Sequence, residues 1–291
     1  MNTGVWYAIA AYVIWAALVV YWKALAHVPA PQLLSHRIVW SFLFLLAFIG
    51  LAGRWRNFWT TIRNGRILRV YAASAALIGV NWLTYVWAVN AGFIVETSLG
   101  YFINPLLSVV LGVLFFHERL RPWQWASIGL AAAGVLYLTA IYRSLPWIAL
   151  TLAFAFGFYG LVKKAAPLDS LYGLTLETGI LFLPALAYLG LSEAQGQGQF
   201  LHAGLTSDAL MIGAGLMTTI PLLLFAAATH RIPLSLVGIL QYITPTVQFL
   251  LGVLVYHEPF SRARLLGFAV VWAALLIFAV ESFLVRRQQQ R

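Results

Sequence analysis

Ten stretches of about 20 mainly apolar residues follow one another along this 291-residue chain, separated by short polar turns. A helix needs a run of roughly that length to cross about 30 Å of hydrocarbon at 1.5 Å rise per residue. The stretches lie near 4 to 22, 32 to 52, 68 to 90, 97 to 116, 123 to 141, 146 to 162, 170 to 190, 209 to 229, 236 to 256 and 264 to 284. Only 9% of the residues are charged and 62% are apolar, whereas a soluble domain carries about 25% charged residues. The expected fold class is an all-α polytopic membrane protein with ten transmembrane helices.

The net charge of +10 invites a nucleic-acid reading, but the positions of the cations argue against one. With the N-terminus cytoplasmic, the inner loops and tail hold 13 of the 18 Lys and Arg residues. The outer loops hold Lys23, Arg143, Arg262 and Arg264, and Arg37 falls within a span. That bias is the positive-inside signature, and it puts both termini in the cytoplasm. No basic residue precedes Lys23 and no small-residue cleavage site follows the first stretch, which is therefore read as a span and not a leader. With no cysteine in the chain, disulfides and Cys-ligated metals are excluded.

Residues 101–118, YFINPLLSVVLGVLFFHE, return as 241–258, QYITPTVQFLLGVLVYHE, 140 positions on. At the same offset Gly50 and Leu51 fall on Gly190 and Leu191, Tyr85 on Phe225, and Lys23 on Lys163. Each half, 1–143 and 144–291, then carries five spans. An odd number of spans inverts the second copy, giving a 5+5 inverted repeat. The basic loop from Arg54 to Arg69 corresponds to 194–209, which contains no Lys or Arg, as inversion under the positive-inside rule requires. Two similar, inverted halves provide a basis for alternating access around a central site.

Several motifs together resemble the RarD branch of the EamA-type drug/metabolite transporters. They are Trp15, Tyr21 and Lys23; His36-Arg37; Asn81-Trp82; Trp87 to Asn90; Ser98 to Pro105 with Gly112 and Glu118; and Gln241-Tyr242-Ile243 with Pro245. The resemblance covers nearly the whole chain. It implies a ten-helix inner-membrane permease whose cavity is lined mainly by helices 1, 3, 4, 6, 8 and 9. Ala16 and Val19 stand where the family often has Gly and Pro, so a kinked first helix is not implied.

In the fourth span Tyr101, Asn104, Pro105 and Ser108 share one face, and in the ninth Gln241, Thr244, Pro245 and Gln248 repeat the arrangement. Such polar stripes either line a cavity or bond one helix to another; cavity lining by Tyr101, Asn104, Ser108, Gln241, Thr244 and Gln248 is the reading preferred. Pro105 and Pro245 each remove a backbone donor and are expected to kink their helices, freeing a carbonyl toward a substrate and serving, with His36, Arg37 and Glu177, in gating or coupling. Asn81 and Tyr85 in the third span, and Tyr12 and Trp15 in the first, extend the candidate site with groups suited to aromatic or amphipathic solutes. Trp6, Tyr21 and Trp22 fit an interfacial belt.

Arg37 and Glu177 are 140 positions apart and sit within spans. The expectation is that they act separately, Arg37 near the outer vestibule and Glu177 near the inner one, either recognising charged cargo or, for Glu177 and His36, taking up a proton. The alternative is that both serve packing. His117-Glu118 and His257-Glu258 are not zinc-protease motifs, because Arg121 and Ser261 stand where a second His is needed. They read as structural helix ends, and no metal or cofactor is expected.

The expected function is secondary transport, as an exporter of small organic metabolites or drugs, amino-acid-like or aromatic solutes among them, across the bacterial inner membrane. The partners are a small-molecule substrate, the lipid bilayer and protons if transport is coupled, in a monomer or weak homodimer that binds no nucleic acid. The chain has no G-x-x-x-x-G-K-[ST] loop, so ATP is not its fuel. A channel or an intramembrane enzyme is the alternative, although neither a ring of like charges nor a clustered nucleophile and base is present in the sequence.

Overall fold

The computed structural model describes residues 2–62, 64–90, 94–142, 147–255 and 262–289. Its helices in chain order are α1 (Thr3–Ala24), α2 (Ala30–Leu51), α3 (Trp55–Ile62), α4 (Gly65–Asn90), α5 (Ile94–Phe116) and α6 (Pro122–Tyr142). The second part holds α7 (Trp147–Ala165), α8 (Ser170–Ala194), α9 (Leu205–Thr229), α10 (Leu234–Gln241), α11 (Ile243–Leu250) and α12 (Arg262–Gln289). Among the described residues there is no strand. Six helices among the described residues, α1, α2, α4, α7, α8 and α9, are long and apolar enough to cross a membrane. Exposed side chains such as Leu51, Leu136 and Leu205 suit a surface that faces lipid and not water.

Local chemistry sets the helix ends. Asn2 accepts from the Gly4 N–H at the start of α1, and Asp169 accepts from the Tyr172 N–H at the start of α8, both side-chain caps for otherwise unpaired first-turn donors. Pro29 and Pro233 precede α2 and α10. The starts of α2 and α8, of α4 and α9, of α5 and α10, and of α6 and α12 each lie 140 positions apart.

Glu118 reaches across the bundle to cap α10. Its carboxylate accepts from the Leu234 N–H at 2.7 Å, the Ser235 N–H at 2.9 Å and the Ser235 hydroxyl at 2.6 Å. A Cβ at Gly112 would come within 2.7 Å of Glu118 Oε2, so only glycine leaves room for this cap.

Two departures from the sequence reading stand out. The basic loop after α2 contains α3, which buries Phe58 against Tyr172 and exposes Trp55 and Trp59; two helical turns are too few for a convincing period in the sequence. The ninth span, where Pro245 is expected to kink the helix, is interrupted without leaving the right-handed helical region, Tyr242 standing at φ −61° and ψ −13°. It divides into α10 and α11 at Tyr242 and continues as a π-helical turn, Leu251–Val255. Pro245 has no N–H to bond the Gln241 carbonyl, so the i to i+4 ladder is interrupted there.

α2 packs between α8 and α9, α1 against α9 and α11, α5 against α7 and α10, and α6 against α12. Small residues permit the closest approaches, as expected for helices in lipid. At Gly238 an added Cβ would stand 2.6 Å from the Pro105 carbonyl oxygen, and at Gly215 2.6 Å from Trp40 Cβ. Ser41 donates to the Gly215 carbonyl at 2.9 Å across the second contact. Gly129 of α6 has open space beside it.

Candidate functional site

A cavity opens between helices drawn from both parts of the sequence. α1 supplies Tyr12, Trp15 and Trp22, α2 supplies Arg37, and α4 supplies Asn81, Trp82 and Tyr85. Tyr101 and Asn104 of α5 face Phe156 of α7 and Thr218 of α9, and the break between α10 and α11 adds Gln241, Thr244 and Pro245. Trp22, Arg37 and Trp82 are half-buried, whereas Tyr12 is fully buried. The mouth therefore lies toward the end of the bundle where α1 stops, and the base lies near Tyr12.

Several polar groups in the wall serve the wall itself. The Tyr12 hydroxyl donates to the Val237 carbonyl at 3.1 Å, Asn81 Nδ2 to the Leu152 carbonyl at 2.9 Å, and the Thr244 hydroxyl to the Tyr12 carbonyl at 3.0 Å. These bonds tie α1 to α10 and α11, and α4 to α7. Others keep capacity for a solute. Asn104 is 3% exposed and its Oδ1 has no hydrogen-bond partner among the described residues, which is costly in a buried setting unless a ligand or water supplies a donor. Pro105 and Pro245 deprive the carbonyls of Tyr101 and Gln241, both cavity residues, of their usual i+4 donor.

Arg37 stands at the mouth. Its Nε donates to Thr218 Oγ1 at 2.9 Å, and its guanidinium lies 4.8 Å from the Trp22 ring centroid and 5.2 Å from that of Trp82. Tyr85 and Tyr101, in edge-to-face contact at 6.0 Å, line the same wall.

Below Tyr12 and Trp15 the cavity is floored by aromatic rings. Trp15 meets Phe156 and Phe225 at 5.8 and 5.7 Å, and Phe225 stacks on Tyr159 at 6.1 Å with an 11° interplanar angle. Beneath Tyr159 lies a buried polar knot. Lys163 Nζ is 2.9 Å from Glu177 Oε1, with the two side chains 2% and 1% exposed. Ser74 donates to Glu177 Oε1 at 2.6 Å and Tyr159 to Oε2 at 3.1 Å. An isolated charge there would cost several kcal/mol, so the pair and its two hydroxyl donors are mutually dependent.

Eight of the ten residues expected to bind substrate thus meet in one cavity: Tyr12, Trp15, Asn81, Tyr85, Tyr101, Asn104, Gln241 and Thr244. Ser108 does not; its Cβ packs at the Gly238 contact between α5 and α10. The side chain of Gln248 lies outside the described residues, as do those of His257 and Glu258. His36 points away from the cavity, its ring 5.1 Å from Phe200. Arg37 and Pro245 join the cavity, Pro105 shapes α5 behind it, and Glu177 belongs to the knot.

Lys163, taken in the sequence for a loop residue, lies inside α7 and is held there by Glu177. Phe225 and Lys163 were marked in the sequence by their match to Tyr85 and Lys23 in the repeat. Phe156, Thr218 and Tyr159 had no comparable signal.

The chain matches the EamA-like transporter family over residues 2–140. "Uncharacterized transporter YojE" of Bacillus subtilis (strain 168) is 46% identical over 95% of this chain and 93% of its own length. "Protein RarD" of Streptomyces exfoliatus is 44% identical over 99% and 92%, and "Protein RarD" of Escherichia coli (strain K12) is 41% identical over 100% and 98%. The chain belongs to the RarD branch of the EamA-like transporters. As a member of this branch of the drug/metabolite transporter superfamily, it is a multi-pass membrane transporter of the bacterial inner membrane. A solved crystal structure that is 17% identical superposes on this RarD-type chain with a TM-score of 0.69, covering 94% of this chain and 96% of the other. That likeness is one of fold.

Proposed function

We propose that this RarD-type protein is a ten-span carrier that exports small organic solutes by alternating access. Two inverted five-span halves, 1–143 and 144–291, cross the membrane with both termini in the cytoplasm. The observation that carries the reading is a cavity drawn from both halves, accessible at one end and sealed at the other by an aromatic floor and the Lys163–Glu177 knot. An open mouth opposite a plugged end is the arrangement one conformation of a carrier requires, and the 140-residue correspondence of helix starts supports a second, inverted conformation. With the N-terminus cytoplasmic, the mouth faces outward and the knot is the inner gate.

The cargo site comprises Trp15, Tyr85, Tyr101, Asn104 and Gln241, with Tyr12, Asn81 and Thr244 holding the walls. Aromatic faces take an apolar body, and the Asn104 carbonyl oxygen takes a donor. The test is flux of a labelled panel of amino acids, amphiphilic drugs and nucleosides in proteoliposomes. Asn104→Ala and Gln241→Ala should lower flux of the accepted solutes by at least about tenfold, the loss of roughly one well-made buried hydrogen bond. If both variants transport every accepted solute at the wild-type rate, the cavity is not the cargo site.

A further inference from the structure

We infer that Arg37 is an anion-recognition site and that the preferred cargo carries a carboxylate. The inference rests on the carrier reading of the cavity and adds the cargo's charge to it.

The argument begins with a difference between two positions that the repeat makes equivalent. Glu177, at the position matching Arg37, is buried and fully partnered within the protein by Lys163, Ser74 and Tyr159. Arg37 also stands inside a membrane-spanning bundle, where a charge without a counter-ion is expensive. Yet among the described residues no carboxylate pairs with it; the ion pairs are Arg121–Glu281, Lys163–Glu177, Lys164–Glu118 and His202–Glu193. The position matching Lys163 is Lys23, a second cation, so the repeat does not rebuild the Lys163–Glu177 pair around Arg37.

What does contact Arg37 leaves a defined part of it open. Trp22 and Trp82 offer ring faces to the guanidinium, and Thr218 takes Nε. Indole faces stabilise the cation but accept no in-plane hydrogen bond. The terminal nitrogens, Nη1 and Nη2, are left without a hydrogen-bond acceptor among the described residues, on a side chain that lines the cavity. A planar fork of donors held from its faces and from Nε fits a carboxylate in bidentate fashion, and lysine does not reproduce that geometry. Deeper in the same cavity the unpartnered Asn104 Oδ1 is an acceptor for a donor group on the same solute. Trp15 and Phe156 receive its apolar part.

The test is equilibrium binding of two radiolabelled compounds of nearly equal shape, 3-phenylpropionate and 3-phenylpropanamide, to the purified full-length protein in detergent. The wild type should bind the acid at least about tenfold more tightly than the amide, the advantage of a charge-assisted over a neutral contact. Arg37→Gln should erase that preference, and Arg37→Lys should keep part of it. Equal binding of acid and amide by the wild type, a preference that survives Arg37→Gln, or binding of neither compound by cooperatively folded protein would overturn the assignment. Displacement of the acid by phosphatidylglycerol but not by the amide would assign Arg37 to a lipid headgroup, which also overturns it. Flux of neutral solutes by a wild type that binds acid and amide equally would leave the carrier reading in place while removing this one.

Discussion

Glu177→Gln tests whether the Lys163–Glu177 knot is a gate. The substitution keeps the size of the side chain but leaves the Lys163 ammonium, 2% exposed, without its counter-ion 2.9 Å away. It also turns the bonds from Ser74 and Tyr159 into bonds to a neutral amide. Breaking one side of a buried pair costs about 3–5 kcal/mol. If the closed knot bears that cost and the open one does not, because Lys163 then reaches water, about 3 kcal/mol moves the equilibrium between the two conformations by roughly 100-fold. The chain contains no cysteine, so a single Leu18→Cys, in the cavity wall, reports access without background. Labelling by an impermeant maleimide should slow from the face where α1 ends and quicken from the opposite face in Glu177→Gln, so that the ratio of the two rates changes by about 100-fold. The double variant Lys163→Met/Glu177→Leu, which leaves no unpaired buried charge, should recover most of the wild-type rate. A rate in Glu177→Gln within twofold of wild type from both faces, in protein that is measurably less stable, would refute the gate and leave the knot a structural element.

Three other substitutions probe the scaffold. Glu118→Ala removes three hydrogen bonds from the first turn of α10 and should destabilise the protein by about 1–3 kcal/mol in reversible unfolding, with Glu118→Gln losing less. Gly238→Val drives a side chain into the Pro105 carbonyl and Ser108 and should cost about 1–3 kcal/mol in the same measurement; an unchanged midpoint would mean that the contact between α5 and α10 is not close-packed. Tyr12→Phe deletes the bond to Val237 and should lower stability by about 1 kcal/mol while sparing solute binding, because that hydroxyl holds the wall.

The sequence was most informative where one helix carried a pattern by itself. Tyr101 and Asn104 share a face by spacing alone, and Gln241 and Thr244 repeat it, so the cavity could be placed before any contact was known. It was least informative where a residue's role depends on a partner far along the chain. Lys163 and Lys164 resemble the end of a span, and nothing local says that α7 continues because Glu177 and Glu118 receive their charges. Comparison of Arg37 with Glu177 set the two apart, one toward each vestibule, but gave no sign that Lys163 neutralises Glu177. Ser108 fell out of the cavity because Gly238, a residue with no side chain to notice, draws α10 against it. The division of the ninth span followed from Pro245, yet Pro105 at the matching position stays within a continuous α5. Proline identity alone therefore does not decide whether a helix breaks.

Countertransport tests the carrier claim most directly. Proteoliposomes are loaded with an accepted unlabelled solute at high concentration and diluted into a trace of the same solute in labelled form. Alternating access through one cavity predicts that the labelled solute accumulates transiently above its external concentration, driven by exit of the unlabelled pool, and that Asn104→Ala diminishes the overshoot. Labelled solute that only equilibrates, at a rate independent of the internal load, would contradict alternating access and indicate a continuous pore.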